Sequence, residues 1–179
     1  MELRAPARAE PDLVADRLTA DSTGIELRPA TADDHDFLLA VYASTRADEL
    51  TVVSWTDADK AEFVAMQFDA QDRYYRLAYP DARFLVVVGD GIPIGRLYVV
   101  RLADEIRIID ITLLPGYRGA GIGSRLLAEI LAEADAASLA VRLHVEAWNP
   151  AMRLYDRLGF RPIGEPGIYQ YMERPPRGG

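Results

Sequence analysis

Residues 113–127 read LLPGYRGAGIGSRLL, four glycines and Arg118 set between an apolar run and a helix-like repeat. Upstream, EIRIIDITLL (105–114) has the apolar, β-branched character of a strand and stops at Pro115. Downstream, SRLLAEILAEADAASL (124–139) returns Leu126, Leu127, Ile130, Leu131 and Ala134 to one helical face. AVRLHVEAW (140–148) then reads as a second buried strand. A strand, a glycine turn, a helix and another strand make a parallel crossover unit, which demands a sheet with helices on its faces. At the turn itself, Gly119, Gly121 and Gly123 open a helix whose first N–H groups have no intrahelical acceptor. Bare backbone there admits close approach by an anion, the helix dipole favours negative charge, and Arg118 adds a guanidinium fork suited to phosphate oxygens.

Working outward, IELRPA (25–30) alternates as a half-buried strand, and TADDHDFLLAVYASTRADEL (31–50) places Phe37, Leu38, Val41 and Tyr42 at helical spacing behind a Thr31 cap. A second helix runs through DADKAEFVAMQFDAQDRYYRLAY (57–79) until Pro80 stops it. RFLVVVGDG (83–91) ends in an Asp-Gly turn signal, and IPIGRLYVVRLA (92–103) leads into the 105–114 strand, giving an antiparallel meander. NPAMRLYDRLGF (149–160) opens with an Asn cap and Pro at the first helical position and closes on glycine, and IYQYMER (168–174) alternates as a last strand. The expected order is βααβββαβαβ: an α/β (α+β) fold with a mixed, mostly antiparallel sheet of about six to seven strands. A flexible extension is expected over 1–24, with at most a short helix at PDLVADRL, a single domain over 25–174 and a tail over 175–179.

Composition narrows the function classes. A formal charge of −8, from 20 Lys plus Arg against 28 Asp plus Glu, disfavours nonspecific binding to nucleic acid or an anionic membrane. With no cysteine there is no disulfide, thiolate metal site or cysteine nucleophile, and two histidines are too few for a histidine-rich zinc site. No apolar run reaches the roughly 20 residues that span a bilayer, and the first 24 residues lack a secretory core, so a soluble cytoplasmic protein is expected.

Two phosphate motifs fail at the glycine turn. The Walker pattern needs Gly-Lys-Ser/Thr, whereas Gly123 precedes Ser124 and Arg125. The dinucleotide pattern spaces its glycines differently and follows the first strand of a doubly wound sheet. R-x-x-G-x-G, read from Arg118 through Gly121 to Gly123, does fit, and with it the sequence resembles the GNAT family, the Gcn5-related N-acetyltransferases. NPAMRLYDRLGF, with Asn149, Tyr155 and the Leu-Gly-Phe close, is similar to that family's second cofactor segment, and the likeness runs from about Ile25 to Met172.

The resemblance implies acetyl-CoA as donor and a small-molecule or peptide amine as acceptor, without nucleic acid or membrane, in a chain compatible with a homodimer. It implies that Arg118, Gly119, Ala120, Gly121, Ile122, Gly123 and Ser124 hold the pyrophosphate. Main-chain groups of Ile111, Thr112 and Leu113 would pair with the pantetheine arm, Asn149 would touch cofactor or substrate, and Tyr155 would protonate the departing thiolate. By position alone Tyr155 also reads as core, beside Leu154 and Leu158. Two carboxylates compete for the base: Glu105 at the strand start, which also reads as a solvated charge, and Asp110 within the apolar strand, which must have a partner. Five residues apart on a strand, they face opposite sides. His144 and Glu146 share a face, as a proton relay or as ordinary structural positions. A noncatalytic acyl-CoA-binding or sensing module is the alternative function.

Overall fold

The structure, a computed structural model, describes residues 24–177. Of the N-terminal extension expected over 1–24, all but Gly24, including its short helix, lies outside the described residues, as does the 178–179 end of the expected tail. Seven strands form one sheet in the hydrogen-bonded order β1-β2-β3-β4-β5-β7-β6. The chain divides into two compact units, the first holding the described residues up to Tyr98 with Asp110–Ala120, the second Val99–Ile109 and the described residues from Gly121.

In the first unit, β1 (Ile25–Pro29) pairs antiparallel with β2 (Arg83–Gly89), Ile25 opposite Gly89 and Pro29 opposite Leu85. The Asp-Gly signal closes a tight hairpin into β3 (Ile92–Arg101): Asp90 and Gly91 both take positive φ, 50° and 78°, the handedness that matches twisted strands. Thr31 caps a short 3₁₀ turn at Ala32–Asp34 before α1 (His35–Thr51), its N–H donating to Asp34 Oδ2 at 2.8 Å. Thr56 and Asp59 cap α2 (Asp57–Ala78) reciprocally, Asp59 N–H donating to Thr56 Oγ1 at 3.1 Å. Leu38 and Tyr42 of α1 and Val64 and Phe68 of α2 close over Val86 and Val88 of β2. Phe37 is only half-buried, because its 3.6-residue phase lies at the margin of that stripe.

β4 (Glu105–Leu113) is followed by a 3₁₀ turn at Pro115–Tyr117 and by α3 (Ile122–Ala136). In the second unit β4 pairs parallel with β5 (Ala140–Glu146) from Glu105 opposite Ala140 to Ile108 opposite Leu143. The five expected α3 residues, Leu126, Leu127, Ile130, Leu131 and Ala134, are all buried. α4 (Met152–Leu158) ends on Gly159 at φ 93°, and a two-residue β6 (Arg161–Pro162) lies beside β7 (Tyr169–Arg174). β7 returns antiparallel to β5, from Val141 opposite Arg174 to Glu146 opposite Tyr169. Helix α4 starts two residues later than its sequence signals. Asn149 accepts Ala151 N–H through Oδ1 at 2.8 Å and Met152 N–H through its carbonyl at 3.0 Å, so Asn149 and Pro150 form a tight lead-in turn instead of the cap and first residue.

Arg174 of β7, buried, is gripped by both oxygens of Asp135 at the end of α3, with Nη2 to Oδ2 at 2.7 Å. The Arg174 hydrogen bond, with the Arg177 N–H second, holds the Asp135 carboxyl at about 2. A depressed carboxyl stabilises the fold above its ordinary value near 3.8 and loses that contribution as pH falls through about 2. We expect Asp135→Asn to cost about 2 kcal/mol at pH 7, or roughly 4–8 °C in Tm for a chain of this size, and the gap to wild type to narrow below pH 3 in thermal melts.

Candidate active site

The glycine turn is open. A Cβ built on Gly119, Gly121 or Gly123 would meet nothing within 4 Å, so among the described residues no side chain occupies that space. Gly119 and Gly121 hold φ at 77° and 85°, in the left-handed region that only glycine adopts without strain. Gly121 is the N-cap of α3, and the first hydrogen bond of the helix runs from Arg125 N–H to the Gly121 carbonyl at 3.0 Å. The N–H groups of Ile122, Gly123 and Ser124 therefore precede the intrahelical ladder and are available to an anion. A diphosphate fits these residues: the cradle is bare, its donors are backbone, and the helix end is positive.

Arg118 belongs to the first unit. Its Nε donates to the Leu113 carbonyl at 2.8 Å and its Nη2 to Ser44 Oγ at 3.1 Å, so the guanidinium is fixed between the end of β4 and α1 while staying exposed. Beside it, β3 and β4 approach unusually closely at Gly95, where a Cβ would lie 2.4 Å from the Thr112 carbonyl oxygen and 3.0 Å from Leu113 Cα. Leu114 N–H donates to the Ile94 carbonyl at 2.9 Å across the same junction. Gly95 thus sets the path of Thr112 and Leu113. A lone glycine inside a strand pattern is the sequence signal that would have found it.

Asp110 has the partner its burial requires. Arg96, 2% exposed, donates Nε to Oδ1 at 3.1 Å and Nη2 to Oδ2 at 2.7 Å, and Thr112 Oγ1 donates to Oδ1 at 2.8 Å. Arg96 Nη2 also reaches Gln71 at 3.2 Å, and its guanidinium lies over the Tyr98 ring at 5.2 Å. Burial pushes the Tyr98 phenol up to about 12. The neighbouring segment Arg73–Arg76 divides: Tyr75 packs edge-on against Tyr98 and Arg76 covers Phe84 at 4.6 Å, whereas Arg73 and Tyr74 are exposed. Phe68 is core, and Trp55 packs edge-on against Phe63.

In the second unit Glu105 is not a solvated charge. It is 2% exposed and held by two arginines, Arg107 Nη2 at 2.5 Å from Oε1 and Arg142 Nη1 on Oε2. Arg142 also donates Nε to Glu173 at 2.6 Å. Strand alternation cannot reveal this, because the arginines come from the same strand and from its parallel neighbour. His144 stacks flat on Tyr171, centroids 4.4 Å apart at 11°, and Glu146 accepts from Tyr169 Oη at 3.4 Å. Partial withdrawal from water, and then the Arg107 charge, hold the His144 imidazole below its usual value. Tyr155 is 6% exposed and packs edge-on against Phe160 at 5.6 Å.

A family model described as the acetyltransferase (GNAT) family matches residues 46–160, more than half of the chain. The protein is a GNAT-family chain. Members of the family use acetyl-CoA as acyl donor. A candidate [ribosomal protein bS18]-alanine N-acetyltransferase of Bacillus subtilis (strain 168) is 32% identical over 99 residues, 52% of this chain and 65% of that protein. The match thus spans less than two thirds of the relative's length. Among solved structures, the PaiA N-acetyltransferase of Thermoplasma acidophilum in complex with coenzyme A superposes with a TM-score of 0.64 at 20% identity, over 84% of this chain and 98% of that one. A structure from Corynebacterium glutamicum ATCC 13032, described as histone acetyltransferase HPA2 and related acetyltransferase, gives 0.60 at 22%, over 86% and 97%. Both establish the fold.

The glycines make opposite predictions. Gly95→Ala drives a Cβ into backbone and should cost about 1–3 kcal/mol or more, read by urea denaturation. Gly123→Ala meets open space at an ordinary helical φ and should be neutral or stabilising by about 0.4–1 kcal/mol.

Proposed function

We propose that this GNAT-family chain is an N-acetyltransferase that moves the acetyl group of acetyl-CoA onto a primary amine by direct attack in a ternary complex. The observation that carries the reading is the empty turn at Gly119, Gly121 and Gly123, where nothing lies within 4 Å of a built Cβ, on the family's fold. Backbone amides of Gly119 through Ser124, with Arg118, hold the pyrophosphate. Main-chain groups of Ile111, Thr112 and Leu113 take the amides of the pantetheine arm, and the Leu113 N–H is aimed at the acyl oxygen. A donor directed at charge that develops during reaction is worth about 3–4 kcal/mol. Acetyl-CoA, when bound, supplies an acyl group activated as a thioester. Tyr155 Oη gives a proton to the departing sulfur, and Asn149 braces the turn that leads into the Tyr155 helix. The Bacillus relative directs the first choice of acceptor to peptides with an N-terminal alanine.

The test is calorimetric titration with acetyl-CoA followed by product analysis on such peptides and on small amines. Saturable binding should weaken at least tenfold in Gly123→Ala, although that variant folds as well as wild type, and in Arg118→Glu. Binding without any acetylated product identifies the noncatalytic acyl-CoA module, and no binding removes the reading.

A second experiment isolates the acid. Tyr155→Phe preserves the packing against Phe160 and should lower kcat at least tenfold while leaving acetyl-CoA affinity nearly unchanged. An unaltered kcat takes Tyr155 out of the mechanism.

A further inference from the structure

We infer that His144 is the catalytic base, the group that accepts the proton from the attacking amine; the inference rests on the transferase reading above. Three observations converge on it. First, both carboxylates are already paired with arginine, although Glu105 Oε1, in its ion pair with Arg107, accepts no hydrogen bond among the described residues. Both Asp110 oxygens are occupied by Arg96 and Thr112, and Glu105 is buried between Arg107 and Arg142. Each is a counter-ion to arginine, Asp110 to the buried Arg96 and Glu105 to the partly exposed Arg107 and Arg142.

Second, the imidazole is free to act. His144 is exposed, its ring is fixed by stacking on Tyr171, and neither ring nitrogen has a hydrogen-bond partner among the described residues. The charged and titratable groups on its face of the sheet are Glu105 and Arg107 from β4, Arg142 and Glu146 from β5, and Tyr169, Tyr171 and Glu173 from β7. Glu105 and Glu173 are paired with arginines. Partial burial first, and then the Arg107 charge, lower the imidazole against the opposing charge of Glu105, so the net direction favours the neutral ring, the form that can take a proton. His35 is the contrast: exposed on α1 and bonded to Asp69 at 3.0 Å, it is held above its usual value.

Third, position. The parallel pairing of β4 with β5 ends at Ile108 opposite Leu143, and His144 is the next residue of β5, still held in register by β7 opposite Tyr171. The end of a strand pairing is where a ligand's extended arm can take over backbone hydrogen bonds. In the step itself the amine nitrogen bonds to the acyl carbon as the carbon–sulfur bond breaks. His144 takes the proton lost by nitrogen, Tyr155 Oη supplies the proton gained by sulfur, and both residues recover their starting states by exchange with water.

With two histidines in the chain, imidazole resonances in long-range proton–nitrogen NMR spectra assign themselves through His144→Gln. We expect His144 to titrate below about 6.5 and His35 above it, and acetyl-CoA to shift the His144 resonances while leaving those of His35 in place. In kinetics with acetyl-CoA and an alanine-initiated peptide, His144→Gln should lower kcat about 10²-fold or more, keep the KM for acetyl-CoA, and abolish the acidic limb of the kcat/KM profile; His144→Gly should regain rate with added imidazole. A His144→Gln enzyme with wild-type kcat and an intact acidic limb, or His144 resonances indifferent to bound acetyl-CoA, overturns the inference and leaves the transferase reading standing. A wild type that binds no acetyl-CoA overturns the transferase reading, and the inference with it.

Discussion

A guanidinium removed from water must find its counter-charge nearby, and this requirement organises both units. Lys60 apart, every basic side chain is arginine. Arg96, Arg101, Arg107, Arg142 and Arg174 each extend from a strand toward a carboxylate. Planar forks suit such sites, because two parallel donors meet two oxygens and fix direction as well as distance. These pairs give the strands specific orientation more than net stability, since desolvation offsets much of the attraction. The consequence is chemical: carboxylates that could have served as bases are consumed in holding arginines.

Faces could be read from the sequence, and partners could not. Periodicity reports which face a residue takes, so the α3 stripe and the strand alternation were legible, as was the Asp-Gly hairpin, whose two residues take the positive φ the signal implies. The bare glycine turn was legible for the same reason, since left-handed φ at Gly119 and Gly121 demands glycine wherever the rest of the chain goes. The start of α4 was displaced by two residues because a cap signal fixes a turn without fixing whether the next residues are 3₁₀ or α.

Partner identity was not legible. That Asp110 needed a partner followed from its place in an apolar strand, but Arg96 lies fourteen residues earlier on the neighbouring strand, and nothing in one sequence reports that register. Glu105 could be read as a solvated strand-start charge because its arginines belong to the pairing with β5 and to its own strand two residues on. Gly95 had a signal, a lone glycine in a strand, but its consequence is the path of Thr112 and Leu113 and depends on a contact made through folding.

Arginine pairing also bears on how acid and base work divide at neutral pH. A carboxylate paired with a guanidinium orients and screens that cation, and taking up a proton would give up the pairing. In the mechanism we propose, Tyr155 and His144 differ in kind: a phenol is ordinarily protonated at neutral pH and an imidazole held low is not, so each would begin in the form its step requires. Partial burial is the larger reason the imidazole is held low; the Arg107 charge adds to it, and Glu105, the partner of Arg107, opposes it. A substitution at Glu105 would therefore act at a distance, loosening Arg107 and Arg142 together and altering the field at His144 without touching any reacting atom.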